Sequence, residues 1–186
     1  MLIGILALQG DFAEHKEILD KLKVKNVFVN SKEDLNKIDA LIIPGGESTT
    51  IAKLLKETGL GTKIIALAKK GMPVFGTCAG AIVLAKKIIG KNGYSLKLLN
   101  ATMERNPYGS QQNSFDEKIK TSFGELSVSF IRAPKIKKIG KKVEVLGKIN
   151  SLPVIIREKN ILAAACHPEI ALDTKLHEYF LGMIKK

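Results

Sequence analysis

Short, uninterrupted apolar runs constrain the fold of this chain more than any other feature of its sequence. Residues 2–8 read LIGILAL and residues 40–43 read ALII, and both runs are rich in branched side chains. Such runs are typical of strands buried on both faces of a parallel sheet. Between them, residues 12–22 carry apolar side chains at helical spacing, and Asp11 with Glu14 resembles a helix N-cap with a capping box. The sequence therefore predicts strands that alternate with helices.

The same alternation continues through the first half of the chain and then changes. Further strands are predicted at residues 27–29 and 73–76, and further helices at residues 49–56, 61–70 and 79–87. Short connections between such elements predict an open α/β sheet with helices on both faces. After Gly93, strands are predicted at residues 94–104, 118–121, 126–131, 143–146, 154–157 and 161–165, before a last helix at 174–184. We expect these strands to extend the sheet at an edge or to form antiparallel hairpins, in one domain over residues 1–186.

The formal charge of +12 raises the question of a nucleic-acid partner, and the way the charge is distributed argues against one. Only three of the 30 basic residues are arginines, Arg105, Arg132 and Arg157, and the lysines are spread singly or in pairs. Nucleic-acid-binding surfaces concentrate arginine and interleave aromatic side chains, and this chain has no tryptophan. Lysine enrichment is also common in proteins from hot environments. We expect no nucleic-acid partner, although a positive face toward an acidic partner stays open.

The composition also bears on the compartment and on bound cofactors. No apolar run is long enough to cross a bilayer, and the first eight residues lack the basic start of a signal peptide. Cys78 and Cys166 are expected to be free thiols in a reducing cytosol rather than a disulfide. No residue cluster has the spacing of a metal site. We therefore expect a soluble cytoplasmic protein without a membrane partner, a metal or another cofactor.

The sequence GTCAG at residues 76–80 is the strongest candidate for chemistry. It has the form Gly-x-nucleophile-x-Gly of a nucleophile elbow, and it lies between a predicted strand and a predicted helix. The glycines let the strand and the helix approach closely, while Cys78 is pushed outward in a strained turn. Its position at a helix N-terminus stabilises a thiolate, and the Ala79 N–H points where an oxyanion would form. The alternative is that Cys78 is simply a small buried residue.

The sequence HPE at residues 167–169 supplies a base and an acid. His167 leaves the end of a predicted buried strand, and Pro168 fixes the backbone between it and Glu169. A Cys-His pair with an acid behind it is the general pattern of an activated thiol. His15 and His177 lie within predicted helices and have weaker cases, and Cys166 is expected in the core.

The loops that carry these residues are predicted to meet. Sites in open α/β sheets form at the carboxyl ends of the strands, where residues 9–11, 44–48, 76–80 and 166–169 are expected. Gly45 and Gly46 supply flexible backbone in one of these loops, and Glu47 with Ser48 could cap the following helix. The loop is not a phosphate loop, because the lysine of that motif is missing.

Six motifs in order along the chain carry a family resemblance. They are LQGDFAEH at 8–15, IPGGESTT at 43–50, FGTCAG at 75–80, ERNPYG at 104–109, FIRAP at 130–134 and HPE at 167–169. Together they resemble class I glutamine amidotransferases, and in particular the glutaminase subunits of pyridoxal phosphate synthase. The resemblance implies the amidotransferase-like α/β fold, with an open, largely parallel sheet flanked by helices. It also implies hydrolysis of L-glutamine to L-glutamate, with delivery of ammonia to a separate synthase subunit in a heteromeric complex.

The resemblance also implies roles for individual residues. Cys78 would attack the side-chain amide and form a glutamyl thioester, His167 would move the proton, and Glu169 would orient the imidazole. The backbone amides of Gly46 and Ala79 would bind the oxyanion. The residues that match glutamine-binding positions are Gly46, Glu47, Ser48, Arg105, Ile131 and Arg132, and a turn at Gln9 and Gly10 would respond to docking of the synthase.

Some alternatives stay open at this stage. The family often has Gly-Arg-Gln after the ERNPYG loop, whereas this chain has Gly109-Ser110-Gln111. A glutaminase that serves another biosynthetic pathway would share the triad but would not be expected to carry LQGDFAEH or FIRAP. A cysteine hydrolase or chaperone of the related superfamily would often place histidine directly after the nucleophile, where this chain has Ala79.

Overall fold

The computed structural model describes residues 1–90, 93–105 and 114–184. Its helices are α1 (Phe12–Lys21), α2 (Ser48–Glu57), α3 (Leu60–Lys69), α4 (Ala79–Leu84) and α5 (Lys175–Gly182). Its strands are β1 (Ile3–Leu6), β2 (Asn26–Val29), β3 (Ala40–Ile43), β4 (Val74–Thr77), β5 (Ala85–Ile89), β6 (Leu99–Glu104), β7 (Phe115–Thr121), β8 (Gly124–Phe130), β9 (Lys135–Ile139), β10 (Glu144–Ile149), β11 (Leu152–Glu158) and β12 (Ile161–Ala164).

The main sheet has nine strands in the order β2-β1-β3-β4-β12-β11-β10-β7-β8. The first five strands in this order pair in parallel, and each of the remaining pairs is antiparallel. The parallel strands β1, β3, β4 and β12 are completely buried, as their continuous apolar sequences predict. This topology confirms the predicted open α/β sheet that is parallel at its centre and mixed toward one edge.

Helices cover both faces of the parallel strands, and β4 shows how. Successive side chains of a strand point to opposite faces. Phe75 packs against His177 and Phe180 of α5, and Thr77 on the same face contacts His15 of α1. Gly76 faces the other way, toward Leu84 of α4. The nucleophile elbow that follows β4 therefore lies between two helical layers.

A second, three-stranded sheet corrects two predictions. The predicted helix at residues 79–87 ends at Leu84, and β5 begins at the next residue and pairs in parallel with β6. On the other side of β6 lies β9, which pattern analysis missed altogether. The sequences of β5 and β9, AKKII and KIKKI, are short and rich in lysine, so neither has a decisive periodicity. Pairing with β6 supplies the backbone hydrogen bonds that decide their conformation.

The buried apolar side chains of the described residues form one continuous cluster that extends from Ile3 to Phe180. It includes side chains from the parallel strands, the helices and the antiparallel edge. The single domain over residues 1–186 stays a prediction. Within the described ranges, no helix combines the length and the hydropathy that crossing a membrane requires.

Candidate active site

Cys78 occupies a tight turn between β4 and α4. Its backbone angles are φ 46° and ψ −102°, a conformation that side-chain-bearing residues rarely adopt and that stores strain. Its N–H donates to the carbonyl oxygen of Ala164 at 2.8 Å, which ties the turn to β12. The flanking glycines have no room for a side chain. A Cβ added at Gly76 would lie 2.6 Å from the carbonyl carbon of Gly80, and a Cβ added at Gly80 would lie 2.0 Å from the carbonyl oxygen of Ile43. The local geometry is therefore that of a nucleophile elbow.

His167 reaches the elbow because β12 lies beside β4, with Ala164 opposite Thr77. Two hydrogen bonds with Ser129 hold the backbone of His167. The His167 N–H donates to the Ser129 carbonyl oxygen at 2.8 Å, and the Ser129 N–H donates to the His167 carbonyl oxygen at 3.1 Å. Its ring Nδ1 lies 2.8 Å from Oε1 of Glu169. The histidine is 3% exposed and the glutamate is fully buried, so the pair sits in a medium where charges interact strongly.

Two opposing effects set the pKa of His167. Burial on its own lowers this pKa, but the interactions of the ring with Cys78 and with Glu169 outweigh burial and raise the pKa to about 10. The nearby carboxylate alone favours the charged ring, because an opposite charge in hydrogen-bond contact stabilises it. These interactions therefore favour the protonated imidazolium form of His167.

The Cys78 sulfur lies at the floor of an open cleft of about 350 Å³. The sulfur lies 3.9 Å from the backbone oxygen of Ile131, and it also interacts with the ring of His167. Nucleophile and base are often held loosely in an empty site and come together when substrate binds. The cleft is lined by Gln9, Asp11, Gly46, Glu47, Ser48, Cys78, Ala79, Ile82, Arg105, Ile131, Arg132, His167 and Ile170.

Volume alone would not select this cleft. Two other clefts, of about 410 and 470 Å³, are larger. One is lined by Lys86, Lys87 and Lys138 on the small sheet, and the other by residues of α2 together with Tyr94. Neither places a nucleophile beside a base. The chemistry of the lining side chains therefore identifies the smaller cleft as the candidate site.

The loop after β3 contacts the turn after β1. Oε1 of Gln9 accepts a hydrogen bond of 2.7 Å from the N–H of Glu47, and the N–H of Asp11 donates to the carbonyl oxygen of Gly45 at 3.2 Å. Gly10 and Gly46 have φ angles of 108° and 141°, which favour glycine. The two loops thus form one unit at the mouth of the cleft.

The predicted glutamine-binding side chains form an ion-pair cluster beside the thiol. Arg105 donates from its guanidinium to Oε1 of Glu47 at 2.9 Å. Hydrogen bonds from Thr49 lower the pKa of Glu47, and the charges of Arg105 and Arg132 add to this effect. Glu47 also caps α2, as predicted, by accepting from the N–H of Thr49 at 3.2 Å. Arg132 has φ 45°, a second strained residue at the cleft.

The structure also places near the site residues to which sequence reasoning gave another role or only a weak case. Asp11 caps no helix through its side chain, contrary to the capping-box prediction, and its Oδ2 lies 3.6 Å from Nδ1 of His167. Thr77, His15 and His177 form a buried polar chain behind Glu169. A signal for the histidines was present, because each lies on the apolar stripe of its helix, three residues before Ile18 and Phe180 respectively.

Two further points concern predicted residues. Asp11, His167 and Glu169 each offer an atom within 4.8 Å of the others, a donor set that could receive a metal ion. The expectation of a metal-free site therefore stays a prediction. The departure at Ser110 lies outside the described residues.

Comparisons with known proteins identify the family and the fold of this chain. The family model described as the SNO glutamine amidotransferase family matches residues 5–186. The pyridoxal 5′-phosphate synthase subunit PdxT of Thermosipho africanus is 46% identical over 188 residues, which cover 100% of both chains. A crystal structure of a glutamine amidotransferase superposes with a TM-score of 0.94, at 45% identity and 98% coverage of each chain.

A more distant structure shares the fold alone. The structure of PurLQS from Thermotoga maritima superposes with a TM-score of 0.71 at 13% identity, over 99% of this chain and 98% of the other. The fold is therefore that of class I glutamine amidotransferases, as the sequence motifs predict. With a family model that matches nearly its whole length and a full-length relative at 46% identity, this chain belongs to the SNO glutamine amidotransferase family.

Proposed function

We propose that this chain hydrolyses L-glutamine to L-glutamate and ammonia and delivers the ammonia to the synthase subunit of pyridoxal phosphate synthase. One observation carries the proposal: a strained cysteine faces an open cleft beside an imidazole whose Nδ1 lies 2.8 Å from a buried carboxylate. Full-length relatives named as pyridoxal 5′-phosphate synthase subunits support the same assignment.

In the proposed reaction, Cys78 attacks the side-chain amide carbon of glutamine as a thiolate. His167, protonated because of its raised pKa, gives its proton to the departing ammonia, and a glutamyl thioester remains. His167, now neutral, then takes a proton from water, which attacks the thioester and releases glutamate. Glu169 keeps the imidazole oriented through both steps and stabilises its charged form.

The oxyanion of each tetrahedral intermediate needs donors near Cys78. We assign this role to the backbone N–H groups of Ala79, at the start of α4, and Gly46, in the adjacent loop. Both residues line the cleft. One donor of this kind typically contributes about 3 kcal/mol to lowering the barrier, so the loop matters as much as the side chains of the triad.

The charged groups of the cleft suit the amino-acid end of glutamine. Arg105 is already engaged with Glu47, so it positions that carboxylate for the substrate ammonium group. Arg132 has no ion pair within the described residues, and its guanidinium suits the substrate carboxylate. Ser48 and Ile131 also line the cleft, and the backbone oxygen of Ile131 lies 3.9 Å from the Cys78 sulfur.

The turn at Gln9 and Gly10 is the proposed point of coupling to the synthase. The Gln9 side chain is bonded to the loop that carries Gly46, and Gly10 lies against the carbonyl oxygen of Gly45. A docked partner that moves this turn would therefore move the oxyanion loop. We expect the isolated chain to be nearly inactive, and we expect the complex to form in the cytoplasm, where its free thiols persist.

The test is glutamate release from glutamine by this chain alone and with the synthase subunit added, for the wild type and for Cys78→Ala. We expect release mainly in the presence of the partner, and none from the variant. Cys166→Ala is the matched control, because it removes the other free thiol, which is fully buried next to His167. Its release should stay within about two-fold of the wild type, since it removes no group of the triad.

The outcomes separate the competing functions. Release that is unaffected by the partner would keep the glutaminase and remove the assigned pathway, as for a glutaminase that serves another biosynthesis. No release from a complex that still uses free ammonia would favour a cysteine hydrolase or chaperone of the related superfamily instead.

A further inference from the structure

A buried chain of polar side chains extends from the triad carboxylate into the helical layer behind it. Oγ1 of Thr77 lies 3.1 Å from Oε1 of Glu169, Nε2 of His15 lies 3.0 Å from that hydroxyl, and Nε2 of His177 lies 2.8 Å from Nδ1 of His15. All four side chains are fully buried, against Phe75. Polar groups in such surroundings carry a large cost unless they are paired, so their arrangement has to be specific.

The hydrogen bonds that join these four side chains can be assigned a single direction. Thr77 has one hydroxyl proton, and donating it to the Glu169 carboxylate leaves the oxygen free to accept from the Gly45 N–H at 3.1 Å and from His15. Nε2 of His15 therefore carries a proton and Nδ1 does not. Nδ1 must then accept from Nε2–H of His177, and the remaining nitrogen, Nδ1 of His177, is a bare acceptor.

This assignment agrees with two independent facts. Nδ1 of His177 has no partner in the described part of the molecule, and a bare acceptor tolerates this better than an N–H would. Burial lowers the pKa of His177 to about 3 and that of His15 well below its usual value, so both rings are neutral. The assigned direction of the hydrogen bonds requires that the rings of His15 and His177 are both neutral.

The same hydroxyl also joins the acid of the triad to the oxyanion loop. Thr77 accepts from the N–H of Gly45, the residue that precedes the proposed oxyanion donor Gly46. Oε1 of Glu169 receives both the Thr77 hydroxyl and Nδ1–H of His167, whereas Oε2 has no partner among the described residues. The orientation of the carboxylate thus depends on these two donors, and Nε2 of His15 also lies 3.5 Å from Oε1.

We propose that Thr77 and His15 are positioning residues for the glutaminase reaction, which hold Oε1 of Glu169 toward His167, and that His177 fixes the tautomer of His15. This inference rests on the proposed function. None of the three side chains touches the substrate. They act through Glu169, and through it on the imidazole that must stay aligned with Cys78.

The first test removes only the hydroxyl. In the complex with the synthase subunit, Thr77→Val should lower kcat by about 10- to 100-fold and leave KM within about two-fold, because a misaligned catalytic group slows the chemistry without altering ground-state binding. Thr77→Ser keeps the hydroxyl and should recover most of kcat. Equal losses in both variants would overturn the proposal, because kcat would then not follow the presence of the hydroxyl.

The second test replaces His15, which is linked to the Glu169 carboxylate through the hydroxyl of Thr77. His15→Gln retains an amide N–H for Thr77, whereas His15→Leu retains none, so kcat should fall further in the leucine variant. Ile18→Val, on the same buried face of α1, is the matched control. It should lower the melting temperature without changing kcat. A leucine variant with the kcat of the control would contradict the proposal.

The third test needs neither glutamine nor the partner. The rate of Cys78 alkylation by iodoacetamide is followed against pH on the full chain, by mass spectrometry of the peptide that contains Cys78. In Thr77→Val the pH of half-maximal rate should rise, because a less well oriented carboxylate stabilises the thiolate–imidazolium pair less. The other titratable groups that face the chain are Asp11 and His167 at the site, Cys166 beside Glu169, and Asp173 near His177.

The three tests separate a failure of the proposed function from a failure of the positioning role. If the wild-type complex releases no glutamate, the proposed function fails and the alkylation profile alone decides the role of Thr77. If the wild type is active and Thr77→Val has unchanged kcat and an unchanged alkylation profile, the positioning role is wrong.

Discussion

At the scale of single residues, the backbone conformation that Cys78 adopts at the site lowers the stability of the folded chain. Its φ of 46° with ψ of −102° is a conformation that costs about 1–3 kcal/mol for a residue with a side chain. The strain persists because the surrounding contacts fix the turn, from the Ala164 carbonyl to the two flanking glycines. A role in packing alone would need no strained backbone, whereas this turn places Cys78 in the lining of the cleft.

We therefore predict that Cys78→Gly is more stable than Cys78→Ala by about 1 kcal/mol, because glycine adopts positive φ without strain. The measurement is urea unfolding of the two variants, neither of which can form a thioester. The matched pair Cys166→Gly and Cys166→Ala should show the opposite order, because Cys166 is not among the residues with positive φ and glycine adds only backbone entropy there. The same order in both pairs would contradict a strained elbow.

At the scale of elements, the contact between α4 and β3 is the closest that the backbone allows. A Cβ on Gly80 would lie 2.0 Å from the carbonyl oxygen of Ile43, so the helix could accept a side chain only by moving away from the strand. The position of α4 determines where Cys78 and the N–H of Ala79 lie. Any change in the packing of α4 against β3 would therefore also change the geometry of the site.

Gly80→Ala should lower the free energy of unfolding by about 3 kcal/mol, since a clash with backbone cannot be relieved by a rotamer change. Gly182→Ala is the control: it lies in α5, no atom lies within 4 Å of the added Cβ, and it should gain about 0.5 kcal/mol from helix propensity. Thermal and urea unfolding of both variants measure the difference. A stable Gly80→Ala variant would mean that α4 can shift freely.

Elements also show how far the sequence predicts this molecule. The buried parallel strands and the loops at their carboxyl ends were predictable, because continuous apolar runs and turn residues are local signals. The strands β5 and β9 were not, since lysine-rich segments of five residues take their conformation from pairing with β6. In the same way, His15 and His177 could be placed on helices, but their contact depends on how α1 and α5 pack together.

At the scale of the whole molecule, the buried histidines make stability depend on pH. His177 has a folded pKa of about 3 and an ordinary unfolded value of 6.5, and the folded pKa of His15 is also depressed. Their contribution to stability is thus complete above pH 6.5 and is lost as the pH falls toward the folded values. His167 acts in the opposite direction: its raised pKa gives stability that is complete below pH 6.5 and is lost as the pH rises through about 10.

We predict that the free energy of unfolding falls between pH 6 and pH 5 and that His177→Gln reduces this slope by up to about 1.4 kcal/mol per pH unit, the contribution of one proton. Urea unfolding at several pH values gives the slope, which does not depend on any constant destabilisation by the substitution. Ile18→Val should leave the slope unchanged. An unaltered slope in His177→Gln would mean that His177 titrates normally in the folded chain.

The pairing of β4 with β12 has a consequence for how the protein is made. It places Thr77 beside Ala164, so the cysteine and the imidazole that follow these strands lie side by side although they are far apart in the sequence. Contacts this distant in sequence form late, because a long intervening segment must first be ordered. A chain still on the ribosome therefore has a thiol but no complete triad until Glu169 has been added. We expect hydrolysis of glutamine only from chains whose synthesis has passed that residue.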